Sequence, residues 1–340
     1  MSTTIIDKLM IIGDTIVGKM LRLVAGSGTG GFSPDPANRP TSADTNTAGP
    51  LNTDSVGNLS VRGQVLTDEG SFYDDFSGTS LIQTLTGTLT LTNGSATVSG
   101  VGTLFTEEIN SQQYLKRTVD GETVWTKIGR VTSNTELELS EPYTGTTGTG
   151  GHATRWPTRT GAGGSISVSS SEMTIASGTT NGSVVGISRE VDYPPIIVTF
   201  HIDLSQRIAN QELKVGFVDD PSSATPSREA SVIFDGTNAS IIKLRTRSSA
   251  DAADMFEQSA VLPGAVLTSV ETHLSLEIAG DSVTLMFEAQ VLARNDEHLP
   301  GPYDVMHFVA QTKNTGVPAS STNLILGDVH INNVNNVTIT

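Results

Sequence analysis

The adjacent acids Asp74-Asp75, Glu107-Glu108, Asp219-Asp220 and Asp296-Glu297, and six histidines, His152, His201, His273, His298, His307 and His330, are side chains that could carry acid–base or metal chemistry. Neighbouring residues on a strand point to opposite faces, so an adjacent pair does not aim two carboxylates at one reacting atom. These pairs read as turn and edge charges, with a contribution of Asp219-Asp220 to a Ca²⁺ site as the competing reading. The histidines show no H-x-x-x-H spacing and the chain has no cysteine, so neither a metal nor a cofactor is expected, and each histidine reads as a surface or packed residue. Neither a G-x-S-x-G nucleophile elbow nor a G-x-x-x-x-G-K-[ST] phosphate loop occurs. Gly26, Gly28 and Gly31 match G-x-G-x-x-G, but a dinucleotide fingerprint follows a strand and opens a helix, whereas this one runs into Ser33-Pro34-Asp35-Pro36 and reads as a flexible joint. No catalytic residue is assigned.

Aromatic residues make up 5% of the chain, and Trp125 and Trp156 are its two indoles. Trp156 is expected in a core. Trp125 follows the turn pair Asp120-Gly121, where packing competes with stacking against a ligand, and it is the one possible ligand contact named from the sequence. Lys+Arg 20 against Asp+Glu 36 gives a net charge of −16 over 340 residues. Binding to a phosphate backbone needs a basic face, so nucleic acid is not an expected partner. The charge is uneven: 1–25 carry +1, 26–80 carry −5, 81–160 carry −1 and 161–340 carry −11, which together return −16.

The elements that would position these groups follow from periodicity. Ile5, Leu9, Ile12, Ile16 and Met20 recur at spacings of three and four, which predicts an amphipathic helix over 1–24. Asp7, Lys8, Asp14 and Lys19 interrupt every window, so no membrane span is expected, and acids in the leading turn argue against a secretory signal. Residues 25–50 hold four prolines, five glycines and Phe32 as the sole large apolar side chain. Such a stretch cannot bury enough surface to fold alone. An apolar helix on a long tether implies an anchor whose face, Ile5, Leu9, Ile12, Ile16 and Met20, is buried against other chains rather than in its own core.

From residue 51 the period changes to two. Short strands complete an extended arm over 25–69, and residues 82–157 read as a small all-β unit built around the hairpin pairs Asn93-Gly94 and Asp120-Gly121. About a dozen short strands between Ser165 and Ile339 predict a two-sheet sandwich. The one helical hint in that region lies near Asp251–Ser259.

The string Asp74-Asp75-Phe76-Ser77-Gly78-Thr79-Ser80-Leu81 resembles the opening of concanavalin-like jelly-roll modules, the fold of legume-lectin-like domains and several glycosidases. In that family a Trp and a strand pair follow closely. Here Trp156 and the segment from Gly164 to Ile175 arrive about 75 residues late, the size of the small β unit, so the resemblance implies a jelly roll from 70–81 plus 158–340 with the small domain inserted in an early loop. Glycosidases of this type carry E-x-D-x-x-E on one strand. The nearest match seen from the sequence, Glu190-Val191-Asp192, has Pro195 in the last place, and on that ground no enzymatic activity is expected. The whole arrangement, most specifically the phrase from Thr90 to Tyr143, is similar to tailed-bacteriophage virion proteins of the tail-fibre, baseplate, neck and head-fibre class. That resemblance implies a virion structural protein with other virion proteins as partners, a homo-oligomer with a trimer favoured, and host surface glycan as a further possible partner.

Overall fold

The computed structural model describes residues 52–53, 59–60, 72–121, 124–191, 196–223, 225–236, 241–261, 272–279, 281–288, 290–301 and 305–333. The predicted anchor face, Ile5, Leu9, Ile12, Ile16 and Met20, lies outside the described residues. The chain divides into two compact units, Met1–Gly70 and Ser71–Thr340. In the first, β1 (Asn52–Thr53) pairs antiparallel with β2 (Leu59–Ser60).

The second unit opens on β3 (Phe72–Asp74). Eight short strands follow: β4 (Ile82–Thr84), β5 (Thr88–Leu91), β6 (Thr97–Val101), β7 (Tyr114–Lys116), β8 (Thr126–Ser133), β9 (Glu136–Leu139), β10 (Gly148–Thr149) and β11 (His152–Thr154). They form one sheet in the order β10-β5-β6-β9-β8-β7-β11-β4. It encloses its own core, in which Leu91, Val98, Phe105, Leu115 and Leu137 are fully buried. Asn93-Gly94 makes the expected turn, with Gly94 at φ 79° and its N–H donating to the Tyr143 carbonyl.

The remaining strands build the sandwich: β12 (Thr158–Thr160), β13 (Ser165–Ser169), β14 (Glu172–Ala176), β15 (Val184–Val191), β16 (Ile196–Leu204), β17 (Gln211–Val218), β18 (Glu229–Asp235), β19 (Ile241–Arg247), β20 (Met255–Val261), β21 (Thr272–Ala279), β22 (Ser282–Phe287), β23 (Gln290–Asn295), β24 (Met306–Asn314) and β25 (Asn323–Asn333). One sheet runs β12-β15-β24-β17-β18-β19-β20, the other β13-β14-β25-β16-β21-β22-β23, with β3 on β25 as its eighth strand. Alternate residues of both meet in one core that includes Phe200, Phe217, Phe234, Leu276, Leu285 and Phe308. The fold is thus a concanavalin-like jelly roll carrying an inserted all-β domain. The helical hint near Asp251–Ser259 is corrected: Ala252–Asp254 is a single 3₁₀ turn, capped where Asp251 Oδ1 accepts the Ala253 N–H at 2.9 Å, and from Met255 the chain pairs with β19 as strand β20.

The opening string and the late tryptophan meet in the core. Asp74 is buried; its Oδ1 accepts the Phe76 N–H at 2.8 Å and its Oδ2 accepts the Trp156 indole N–H at 2.9 Å. Trp156 is fully buried against Phe72, Phe76 and Phe308 at centroid distances of 5.1, 5.9 and 5.7 Å. The insertion is tied to the sandwich at the same end. Arg189, buried, lies 3.7 Å over the Phe72 ring and donates to the carbonyls of Gln112 and Arg155; Lys127 pairs with Glu190 at 2.9 Å, and the Tyr114 hydroxyl accepts the Glu190 N–H.

Candidate functional site

On the seven-stranded sheet, Leu213, Val215 and Phe217 of β17, Ala230, Val232 and Phe234 of β18, and Ile242 and Leu244 of β19 face the core. The alternating residues Glu212, Lys214, Glu229, Ser231, Lys243 and Arg245, with Glu257 of β20, therefore share the opposite face. Lys214 Nζ meets Glu229 Oε1 at 2.7 Å with side-chain exposures of 4% and 1%, which removes the pair from water almost entirely. The register explains how they meet. Lys214 is opposite Ile233 and Glu229 is opposite Val218, two rows apart, and the row between them is Gly216 opposite Ser231. A Cβ at Gly216 would stand 2.5 Å from the Ala230 carbonyl oxygen and from Ser231 Cα, so this position excludes any side chain and leaves the lane open. Ser231 Oγ donates to Glu229 Oε1 at 2.5 Å.

Arg245 is the hub of the same network. Its guanidinium forks onto Glu212 at 3.0 and 3.2 Å and onto Glu257 Oε2 at 2.9 and 3.0 Å, with Glu229 at 3.9 Å, while Lys243 holds the other oxygen of Glu257 at 2.9 Å. Burial alone would push Glu212 up, and Arg245 and Lys214 override it, holding this carboxyl below the usual carboxylate range. Glu257 is likewise held low, with burial opposed by Lys243 and Arg245. Arg245 is raised in turn: burial opposes its charge, and Glu212 and Glu229 outweigh that. Three carboxylates against two ammoniums and one guanidinium leave no net charge, so the layer is a closed set of ion pairs. In the spacing E-x-D-x-x-E, β18 has Glu229, then Ser231 and Phe234 in the second and third places.

Glu190, the acid singled out from the sequence, is instead engaged at the junction with the insertion, and Asp192 lies outside the described residues. Among the other acid pairs, Asp74 is the core acceptor described above. Asp220 Oδ1 accepts the Ser222 N–H and hydroxyl as a turn carboxylate, and Glu108 accepts the Thr86 N–H. Trp125, the possible ligand contact, stands in the insertion with the Lys116 ammonium 5.0 Å over its ring. Three histidines that the sequence scatters are brought together on the outer face of the eight-stranded sheet. His201 and His273 are cross-strand partners with ring centroids 3.5 Å apart; Asp328 contacts His201 Nδ1 at 3.0 Å and His330 Nε2 at 3.4 Å; Tyr73 lies 4.1 Å from His330. Only strand register could have revealed this group, and among the described residues no three His, Asp or Glu converge to hold a metal ion.

No protein-family model matches the sequence, and no curated protein is similar to it. Among solved structures the chain is similar to the catalytic domain of an endo-1,3-β-glucanase (laminarinase) from Thermotoga petrophila RKU-1, at 10% identity over 50% of this chain and 81% of that one, TM-score 0.42. It is similar also to a Bacillus licheniformis β-glucanase, at 11% identity, 50% and 82% coverage, TM-score 0.41. A third is SCLam, a non-specific endo-β-1,3(4)-glucanase from family GH16, at 10% identity, 49% and 73% coverage, TM-score 0.40. At these identities the likeness concerns the fold. The expectation of a chain without enzymatic activity is corrected here: the solved structures it is similar to include glucanases. The missing E-x-D-x-x-E pattern is not a ground for excluding chemistry.

Proposed function

We propose that this chain is a structural protein of a tailed-bacteriophage particle. Residues 1–24 anchor it through Ile5, Leu9, Ile12, Ile16 and Met20; residues 25–69 form the arm; and the jelly roll with its inserted domain projects outward from a homo-oligomer, a trimer being favoured. The observation that supports this reading is the segment from Thr90 to Tyr143, the phrase most similar to phage virion modules, which folds around its own buried core inside an otherwise separate sandwich. A face of five large apolar side chains, each worth roughly 1.5–3 kcal/mol when fully buried, is strong enough to hold a subunit on a particle once neighbours cover it. Replacing Leu9 and Ile16 together with Asp is expected to abolish incorporation while leaving the sandwich folded, as read by particle composition and by near-ultraviolet circular dichroism of the free chain. Normal particle occupancy of that double variant would overturn the anchor.

A second reading, a host-glycan-binding adhesin, is favoured by the lectin-like sandwich itself. A glycan array probed with the full chain tests it, and assay of the same samples for newly formed reducing ends shows whether binding is accompanied by hydrolysis. Binding to no glycan leaves the structural reading alone. Capsid decoration and head-fibre roles are distinguished from tail, baseplate and neck by electron cryo-microscopy of the intact particle.

A further inference from the structure

Among the described residues of the inserted domain, one buried cation has no counter-ion. Lys116 closes β7 and is 9% exposed. Its Nζ donates to the Asp120 carbonyl at 3.1 Å and stands over the Trp125 ring, and among the described residues no carboxylate pairs with it. Two described acids of this region are committed elsewhere. The Asp120 carboxylate accepts from the Tyr143 hydroxyl and from Thr146, and Glu190 is taken by Lys127. A buried ammonium met only by a carbonyl and a ring face is costly, because desolvation is met by no opposite charge.

The row around it is short of acceptors in the same way. His152 is the cross-strand partner of Lys116 on one side, and Thr84 is the partner of His152. On the other side Tyr114 is opposite Lys127 and Leu115 opposite Thr126, so the register continued by one residue sets Trp125 opposite Lys116. Leu115 and Ala153 face the core of the insertion, which leaves Lys116 and His152 on the opposite face. The Trp125 indole Nε1 and the His152 Nδ1 are both buried with no hydrogen-bond partner among the described residues. Orphan buried polar atoms of this kind mark the place of a missing ion, ligand or water. An indole N–H is a donor only and an ammonium offers three donors, so the group that completes the row must accept hydrogen bonds and carry negative charge.

We infer that the row Trp125–Lys116–His152 is a binding site for an oxyanion, the carboxylate or sulfate group of an acidic saccharide or the same chemistry as a free ion. This inference does not rest on the particle-anchor reading, since it concerns the inserted domain alone and stands whatever residues 1–24 do.

The chain's two tryptophans make the test direct, because Trp156 is sealed in the core on Asp74 and Trp125 alone adjoins the site. Sodium sulfate and sodium glucuronate are titrated into the full chain, with glucose and with sodium chloride of matched ionic strength as controls, and tryptophan emission is followed. The expected result is a saturable change with sulfate, glucuronate or both, and none with either control. Response to both assigns recognition of the charge itself; response to glucuronate alone assigns an acidic saccharide. Lys116→Met is expected to weaken binding by at least about tenfold, and Lys116→Arg to retain it. Ligand-induced shift of the unfolding temperature gives a second readout, in which Trp125→Phe keeps the ring face, loses the N–H donor and shows a smaller shift. Absence of a saturable response to both anions overturns the site, as does a Lys116→Met chain that folds and binds like the parent.

Discussion

The Lys214–Glu229 pair predicts an asymmetric pair of single-site losses and a near-silent double variant. Removing Glu229, as Glu229→Leu, strands an ammonium whose side chain is 4% exposed and which, among the described residues, has no other carboxylate at hydrogen-bond distance. The cost expected for breaking a buried pair in this way is about 3–5 kcal/mol. Removing Lys214, as Lys214→Met, leaves Glu229 with the Ser231 hydroxyl at 2.5 Å and Arg245 at 3.9 Å. The loss there is closer to one charged hydrogen bond, about 1.5–3 kcal/mol. The double variant Lys214→Met/Glu229→Leu removes both desolvation penalties and fills the lane over Gly216 with apolar atoms, so its stability should fall within about 1–2 kcal/mol of the parent. Urea unfolding of the full chain measures all four, with Trp156 emission reporting the sandwich. Equal losses for the two single variants, or a double variant as unstable as their sum, would refute the claim that this pair is a closed unit rather than two independent charges.

The low carboxyls of Glu212 and Glu257 set the acid limb of stability. Because their folded values are depressed, what they contribute is fully present above the ordinary carboxylate range, about 4.3, and is lost as pH falls through that range toward the folded values. The urea midpoint should therefore drop on acidification below about pH 5, and Glu212→Gln should flatten that limb; an unchanged slope would remove Arg245 as its cause. At the other end of the sandwich, Asp74→Ala leaves the Trp156 indole N–H and the Phe76 N–H buried without acceptors, at about 1–3 kcal/mol each. Asp74→Asn keeps one acceptor oxygen and should lose roughly half as much by the same measure. Both are read by urea unfolding, and a stable Asp74→Ala chain would detach the opening string from the core.

What the sequence made legible was local chemistry. Asn93-Gly94 announces a turn because glycine accepts the positive φ that Gly94 adopts, and Asp74 to Leu81 with a displaced Trp156 announces an interrupted jelly roll because the pieces keep their own signatures. The sites were illegible for a geometric reason. Lys214 and Glu229 are fifteen positions apart, and what joins them is the register that sets Gly216 against Ser231. His201 and His273 are brought to 3.5 Å by a pairing that no spacing encodes. Trp125 was named as a ligand contact for its ring, whereas the structure draws attention to its nitrogen and to the lysine beside it.

The way the insertion is held bears on what the protein can transmit. A domain placed in a loop by two chain crossings is free to swing unless something buried opposes it. Here Arg189 leaves β15, stacks on Phe72 of β3 and donates to the carbonyls of Gln112 and Arg155, while the adjacent Glu190 binds Lys127 and Tyr114. Burial opposes the charge on Arg189 and lowers its pKa, and releasing those carbonyls would leave buried guanidinium donors unpaired. The junction also starts from Trp156, whose backbone N–H and carbonyl both bond the Thr154 hydroxyl at the end of β11. One tryptophan thus belongs to the last strand of the insertion through its backbone and to the sandwich core through its ring. The insertion is therefore joined to the jelly roll by buried contacts as well as by the two chain crossings.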